Sequence, residues 1–174
     1  MVEKPKDPIA AMYRRPGFMI RRAHQIAVGL FLEETGDLGI TNTQYGILTV
    51  LRQRPGIDQI SIAKLLGLDR STTGMVLSKL ESAGLIGRHI GATDKRRHAI
   101  KLTAAGIRMQ KRLGKSADRA QARELSAFTP REAEQFLDLL DKFIHAFNDS
   151  TRVPLDFNGS AKKAKTKKAK VRPR

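Results

Sequence analysis

The stretch from Asp69 to Thr103, DRSTTGMVLSKLESAGLIGRHIGATDKRRHAIKLT, decides the fold. Asp69 suits a helix N-cap, and the run after it places Thr73, Val76, Leu77, Leu80 and Ala83 on one inward stripe. Arg70, Ser71, Thr72, Met75, Ser78 and Lys79 are left outside. Gly84 ends the helix, and Leu85 to Leu102 reads as two short strands around a polar tip, Gly91-Ala92-Thr93-Asp94. That hairpin carries Arg88, Lys95, Arg96, Arg97 and Lys101 against a single acid, Asp94.

Working outward, Asp58 caps a short helix (Ile60, Ile62, Ala63, Leu65, Leu66) that Gly67 stops. The turn to Asp69 has the length of a helix-turn-helix. Before it, Thr41 and Gln44 form a capping box, with Ile40 and Tyr45 as a hydrophobic staple, and open a helix that Pro55-Gly56 ends. Pro16-Gly17 opens a long helix to Gly36, with Phe18, Ile20, Ala23, Ala27, Leu30 and Phe31 at helical spacing. Thr103 opens a long charged helix to Ala127. Thr129-Pro130-Arg131-Glu132 starts another, whose Ala133, Phe136, Leu137, Leu140, Ile144 and Phe147 form one face that must be buried against something. The expected architecture is mainly α with a small β-hairpin wing. Residues 41–103 form the winged helix-turn-helix, 13–40 and 104–148 a helical module, 1–12 a flexible arm and 149–174 a basic disordered tail.

The chain of 174 residues has a formal charge of +16, which favours a polyanionic partner, nucleic acid before membrane. Eight of the Lys and Arg and no acid fall in residues 160–174, which still leaves +8 on the remainder. Cysteine is absent, which removes disulfides, thiol catalysis, thiol redox sensing and cysteine-ligated zinc. No apolar run reaches the roughly 18 residues of a membrane span, and the start MVEKPKDPIA lacks a signal-peptide core. The expectation is a cytoplasmic, nucleoid-associated protein without membrane attachment. No Ser/His/Asp grouping, phosphate-cradling glycine loop or carboxylate pair stands out, so no catalytic residue is assigned and an enzyme is not expected. His24, His89, His98 and His145 are dispersed and suggest no metal site, and no cofactor is expected.

Small hydroxyls near a helix start let the backbone approach DNA closely, Met75 can meet a thymine methyl, and Lys79 suits a phosphate. A solvated helix face has the same composition. The hairpin shifts the balance, because a basic ribbon beside a helix-turn-helix can send arginines into the narrow minor groove. Asp94 either fixes the Arg96 guanidinium by pairing with it or simply forms the turn.

The run Thr41-x-x-Gln44, Asp69-Arg70-Ser71-Thr72, Leu80-Glu81-x-x-Gly84-Leu85-Ile86 and Asp94-x-Arg96 followed by Leu102-Thr103 resembles the MarR-type transcriptional regulators over residues 13–148. The resemblance implies a winged-helix homodimer on double-stranded DNA, its first, fifth and sixth helices interlocked as the dimer module. It casts Arg96 as the wing-tip arginine of the minor groove and Asp94 as its partner. It also implies a repressor that a small molecule, often an aromatic acid, releases from DNA. Gly74-Met75 departs from the bulkier polar or basic residues often found there, so base preference does not carry over.

For that effector, Phe31 and Tyr45 can offer aromatic walls, and Phe18, Arg21, Arg22 and His24 lie on the same first helix. A helix-one arginine suits a carboxylate or phosphate. The expected ligand is an aromatic carboxylate or its coenzyme A thioester, for whose phosphates Arg14, Arg15, Arg21 and Arg22 are suited. The bland alternative makes His24 a satisfied core or interface residue, Phe18 and Phe31 dimer core, and Arg21 and Arg22 solvated charge. A second function class is an architectural DNA-binding protein that uses the Lys-rich tail with little sequence preference.

Overall fold

The computed structural model describes residues 7–90 and 98–157. Among these, the order is α1 (Pro8–Tyr13), α2 (Pro16–Thr35), α3 (Asn42–Gln53), α4 (Gln59–Leu66), α5 (Arg70–Ser82), β1 (Ile86–Ile90), β2 (His98–Leu102), α6 (Ala104–Leu125) and α7 (Pro130–Phe147). The fold is mainly helical with one antiparallel hairpin, as the sequence predicts.

Helix starts follow the capping chemistry. Thr41 and Gln44 exchange both bonds of a capping box, as do Thr129 and Glu132. Asp58 accepts the Ile60 and Ser61 N–H groups, both at 3.0 Å. The Thr103 hydroxyl accepts the Gly106 N–H at 3.0 Å and donates to the Gly84 carbonyl at 2.7 Å, so one side chain starts α6 and ties it to the end of α5.

The amphipathic faces of α3, α4 and α5 meet in one core of Ile47, Leu48, Leu51, Ile62, Val76, Leu77 and Leu80, closed by Leu85, Ile86 and Ile100 of the hairpin and Leu113 of α6. β1 and β2 pair from Ile86↔Leu102 to Ile90↔His98. Ile57, in the loop after α3, adds an isolated bridge to β2: Gly56 N–H donates to the Ile100 carbonyl at 2.9 Å and Ile100 N–H to the Ile57 carbonyl at 3.1 Å. This clamps the base of the hairpin to the helix-turn-helix. Gly106 is fixed by packing, because a Cβ there would overlap the Leu85 carbonyl.

Outside that lobe, α2 lies along α6. α2 buries Phe31 and Thr35, and α6 buries Leu113, Ser116 and Ala120. An ion cluster locks the pair: Arg119 Nε is 2.7 Å from Glu34, and Arg123 reaches Glu33 at 2.8 Å and Glu34 at 3.2 Å. The Glu34 carboxyl, 18% exposed, is held below its ordinary value of 4.5, first by the Arg119 hydrogen bond and then by Arg123, against the opposing effect of burial.

Three expectations are corrected. Residues 8–12, expected in a loose arm, belong to α1, because Asp7 accepts the Ile9 N–H at 2.9 Å and Pro8 sits at the first helical position. Ala83, expected on the inward stripe, is exposed because it is the C-cap of α5, where the helical period has ended. Residues 149–157, expected in the tail, turn at Asn148–Ser150 and pack back on the end of α4. The apolar face of α7 is present as predicted, yet no α7 residue is buried within the protomer.

Candidate nucleic-acid interface

The outward face of α5 is prepared by its inward one. Val76, Leu77 and Leu80 anchor the helix in the core, and Thr73, also buried, donates its hydroxyl to the Asp69 carbonyl at 2.8 Å. Asp69 accepts the Thr72 N–H at 2.8 Å and the Thr72 hydroxyl at 2.7 Å. Those two bonds, then the Ser71 N–H and the charge of Arg152, hold the Asp69 carboxyl below its ordinary value of 3.8, against the effect of burial.

Arg70, Ser71, Met75, Ser78 and Lys79 are exposed together, Met75 at 55%. Thr72 differs: it is half-buried and its hydroxyl is already engaged in the cap. Gln59, the first residue of α4, reaches across to α5 and donates to the Arg70 carbonyl at 3.1 Å. A Cβ on Gly74 would come within 3.1 Å of that Gln59 amide, so the glycine leaves room for this brace.

Arg88 lies in the middle of β1, opposite Ile100, rather than at the hairpin tip. Its Nε is 3.0 Å from Glu81 Oε2, a charge pair without aligned hydrogen-bond geometry that ties β1 to α5. Lys101, across the hairpin, is exposed. The expected tip residues Asp94, Lys95, Arg96 and Arg97 lie outside the described residues.

The effector candidates fall into two groups. Phe31 is buried and its ring lies 5.8 Å from that of half-buried Tyr45, joining α2 to α3. Phe18 is half-buried, with the Tyr13 ring at 5.1 Å and the Arg21 guanidinium 4.9 Å above it. Arg21, Arg22 and His24 are exposed, and Arg22 donates to Gln25 at 3.4 Å. His24, expected on the apolar Ile20/Ala27/Phe31 face, is therefore not a core residue of the protomer. Phe18 and Phe31 are thirteen residues apart, about 20 Å along the helix, so one small acid does not touch both within a single protomer.

Sequence reasoning missed Gln59 and Arg152. Both line an open groove of about 580 Å³ with Asp69, Arg70, Ser71, Gly74 and Met75. Gln59 was detectable as the first helical residue of a helix-turn-helix, but Arg152 carried no local signal. Among the described residues no group of three or more His, Cys, Asp or Glu is placed to hold a metal, and no helix is long and apolar enough to cross a membrane.

A family model described as "MarR family" matches residues 40–98. An HTH-type transcriptional repressor of Mycobacterium tuberculosis is 30% identical over 135 residues, covering 78% of this chain and 92% of that protein. The PcaV transcriptional regulator of Streptomyces coelicolor, solved with its natural ligand, is 32% identical with a TM-score of 0.70, covering 78% and 95% of the two chains. The transcriptional repressor CouR, solved on a 23-mer DNA duplex, is 26% identical with a TM-score of 0.73, covering 80% and 99%.

Proposed function

Because the chain belongs to the MarR family of DNA-binding transcriptional regulators, we propose that it is a homodimeric, ligand-responsive repressor of a pseudo-palindromic operator. The observation that carries this reading is the exposed set Arg70, Ser71, Met75, Ser78 and Lys79, braced from behind by the core and flanked by a basic hairpin. In this reading α5 enters the major groove, with Ser71 and Met75 at base edges and Arg70 and Lys79 at phosphates. The Arg96 side chain enters the adjacent minor groove, oriented by Asp94, with Lys95 and Arg97 at the backbone. Arg88 contributes by fixing the hairpin to α5 through Glu81.

The second copy of the chain is the partner for α7, whose apolar face the protomer leaves open. Each lobe then meets one half-site, about 10 bp or a multiple of that from the other. The effector is an aromatic carboxylate or its coenzyme A thioester, bound between the helical module and the lobe. Phe31 and Tyr45 supply aromatic surface there, and Phe18, Arg21, Arg22 and His24 the outer rim and anion-binding charge. The ligand-bound PcaV structure supports a regulated rather than constitutive protein. A protein acting on the chromosome in this way works in the cytoplasm.

Footprinting across the DNA around its own gene tests the reading, with a symmetric protected site as the expected result. Arg96→Ala should weaken specific binding by about tenfold or more, from about 1–3 kcal/mol per contact, with an unchanged melting temperature. The second reading, a weakly selective DNA coat, draws on the dense charge of residues 158–174. It predicts that deleting them abolishes binding; retained selective binding with a shallower salt dependence supports the repressor.

A further inference from the structure

Beyond α7 the chain turns back onto the DNA-binding lobe. Asn148 makes the turn rigid: its Oδ1 accepts the Leu155 N–H at 2.8 Å and its Nδ2 donates to the Leu155 carbonyl at 3.1 Å. Asp156 N–H donates to the Lys64 carbonyl at 3.0 Å, taking one of the carbonyls that the end of α4 leaves without a helical partner. The Leu155 side chain seats on Gly67, 3.2 Å from where a Cβ would stand. Gly67 is therefore required twice, for its φ of 62° and for this contact. At the other end the Phe157 ring stacks on His145 of α7 at 4.1 Å. Residues 148–157 thus form a strap from α7 to the turn of the helix-turn-helix.

The strap has a charged consequence. Arg152 is exposed and lines the same groove as Arg70, Ser71 and Met75, the outward residues at the start of α5. An acidic cap beside an approaching phosphate is repulsive, and Arg152 is the added cation whose charge acts on Asp69. The anchored segment around it, held by Asn148 and Leu155, limits how far this arginine can wander from the face.

We propose that residues 148–157 extend the DNA-binding surface beyond the winged helix, and that Arg152 is a phosphate-contacting residue held beside the start of α5 by the strap. The inference rests on the repressor reading above for the identity of the polyanion. It deepens that reading with a contact supplied from outside the lobe by the segment that follows the dimer helix.

The test is the salt dependence of binding by the full-length protein to a mixed-sequence DNA duplex of about three turns, followed by fluorescence anisotropy. Each phosphate contact contributes about 0.9 to the slope of log affinity against log salt. Two protomers lacking Arg152 should lose about 1.8 from that slope, so the wild-type advantage over Arg152→Ala shrinks about 12-fold between about 50 and 200 mM salt. Arg152→Lys should keep the slope, and Arg131→Ala, an equal charge loss at the start of α7, should leave it unchanged. Leu155→Asp, which expels the strap from Gly67, should reproduce the slope loss with Arg152 intact. An Arg152→Ala protein with wild-type slope overturns the proposal, including when its melting temperature falls, since that result makes Arg152 a structural neighbour of Asp69 only. A wild-type protein that binds no duplex at all overturns the repressor reading and this inference with it.

Discussion

Leu137→Ala combined with Leu140→Ala should split the proposed dimer without unfolding the protomer. Both side chains lie on the apolar face of α7, clear of the strap, and they are 47% and 36% exposed. Fully burying a leucine contributes about 2 kcal/mol, so covering the open fractions contributes about 0.9 kcal/mol at Leu137 and about 0.7 at Leu140. A two-fold interface uses each residue twice. The loss per dimer is therefore about 3 kcal/mol before any cavity term, or roughly a 200-fold weaker dimer. Sedimentation velocity over a concentration series reads this directly, with Asp138→Ala on the opposite side of α7 as the control that should not move. Circular dichroism should show unchanged helix content, because neither leucine is buried in the protomer. A double variant that dissociates at the wild-type concentration would refute the assignment of this face, as would a wild-type chain that is monomeric throughout.

Two further outcomes test the fold that carries the site. Gly106→Ala drives a Cβ into the Leu85 carbonyl; since neither backbone can yield cheaply, the loss should reach the upper end of overpacking, about 3 kcal/mol, in urea unfolding. Glu34 is held below its ordinary pKa of 4.5 in the folded chain, first by Arg119. Its charged form therefore stabilises the fold above 4.5, and that contribution disappears as pH falls through the depressed folded value. Thermal melts of Glu34→Gln should show a flatter decline on the acid side of 4.5 than the wild type, with a lower melting temperature near neutral pH.

The helices were legible in the sequence because their signals are local. Thr41-x-x-Gln44, Asp58, Asp69, Thr103 and Thr129-x-x-Glu132 all act as caps within three or four residues of themselves. The outward face of α5 was legible for the same reason, since burying Thr73, Val76, Leu77 and Leu80 leaves its opposite side exposed. What escaped was pairing at a distance. Nothing near Ile57 announces that it bonds Ile100, and Gly106 has no turn to explain it until Leu85 is seen against it. Residues 149–157 run on in sequence into a lysine-rich tail, yet Asn148, Leu155 and Asp156 anchor them through bonds to positions in α4 and the α7 end. Residue type alone suits Thr72 and Arg88 to DNA, whereas the structure engages them with Asp69 and Glu81.

A ligand can release DNA only by favouring one spacing of the two lobes over another, and the packing says where that spacing can change. Leu113 of α6 is fully buried in the same core as Leu48, Leu51 and Leu77 of the lobe. Close-packed interiors do not deform continuously, so the lobe and the first half of α6 move as one body. The Glu33/Glu34 cluster with Arg119 and Arg123 ties the end of α2 to the second half of α6 instead. The compliant parts are then the open apolar surfaces of α1, α2 and α7, where one protomer meets the other in the proposed dimer. An effector seated against Phe18 and Arg21 acts at that seam, whereas one seated against Phe31 and Tyr45 acts at the joint between module and lobe. The typical coupling of about 1–3 kcal/mol is comparable to the interface energy of the two leucines above. In the proposed repressor, repacking one turn of α7 against the second copy is therefore a large enough change to switch the operator between bound and free.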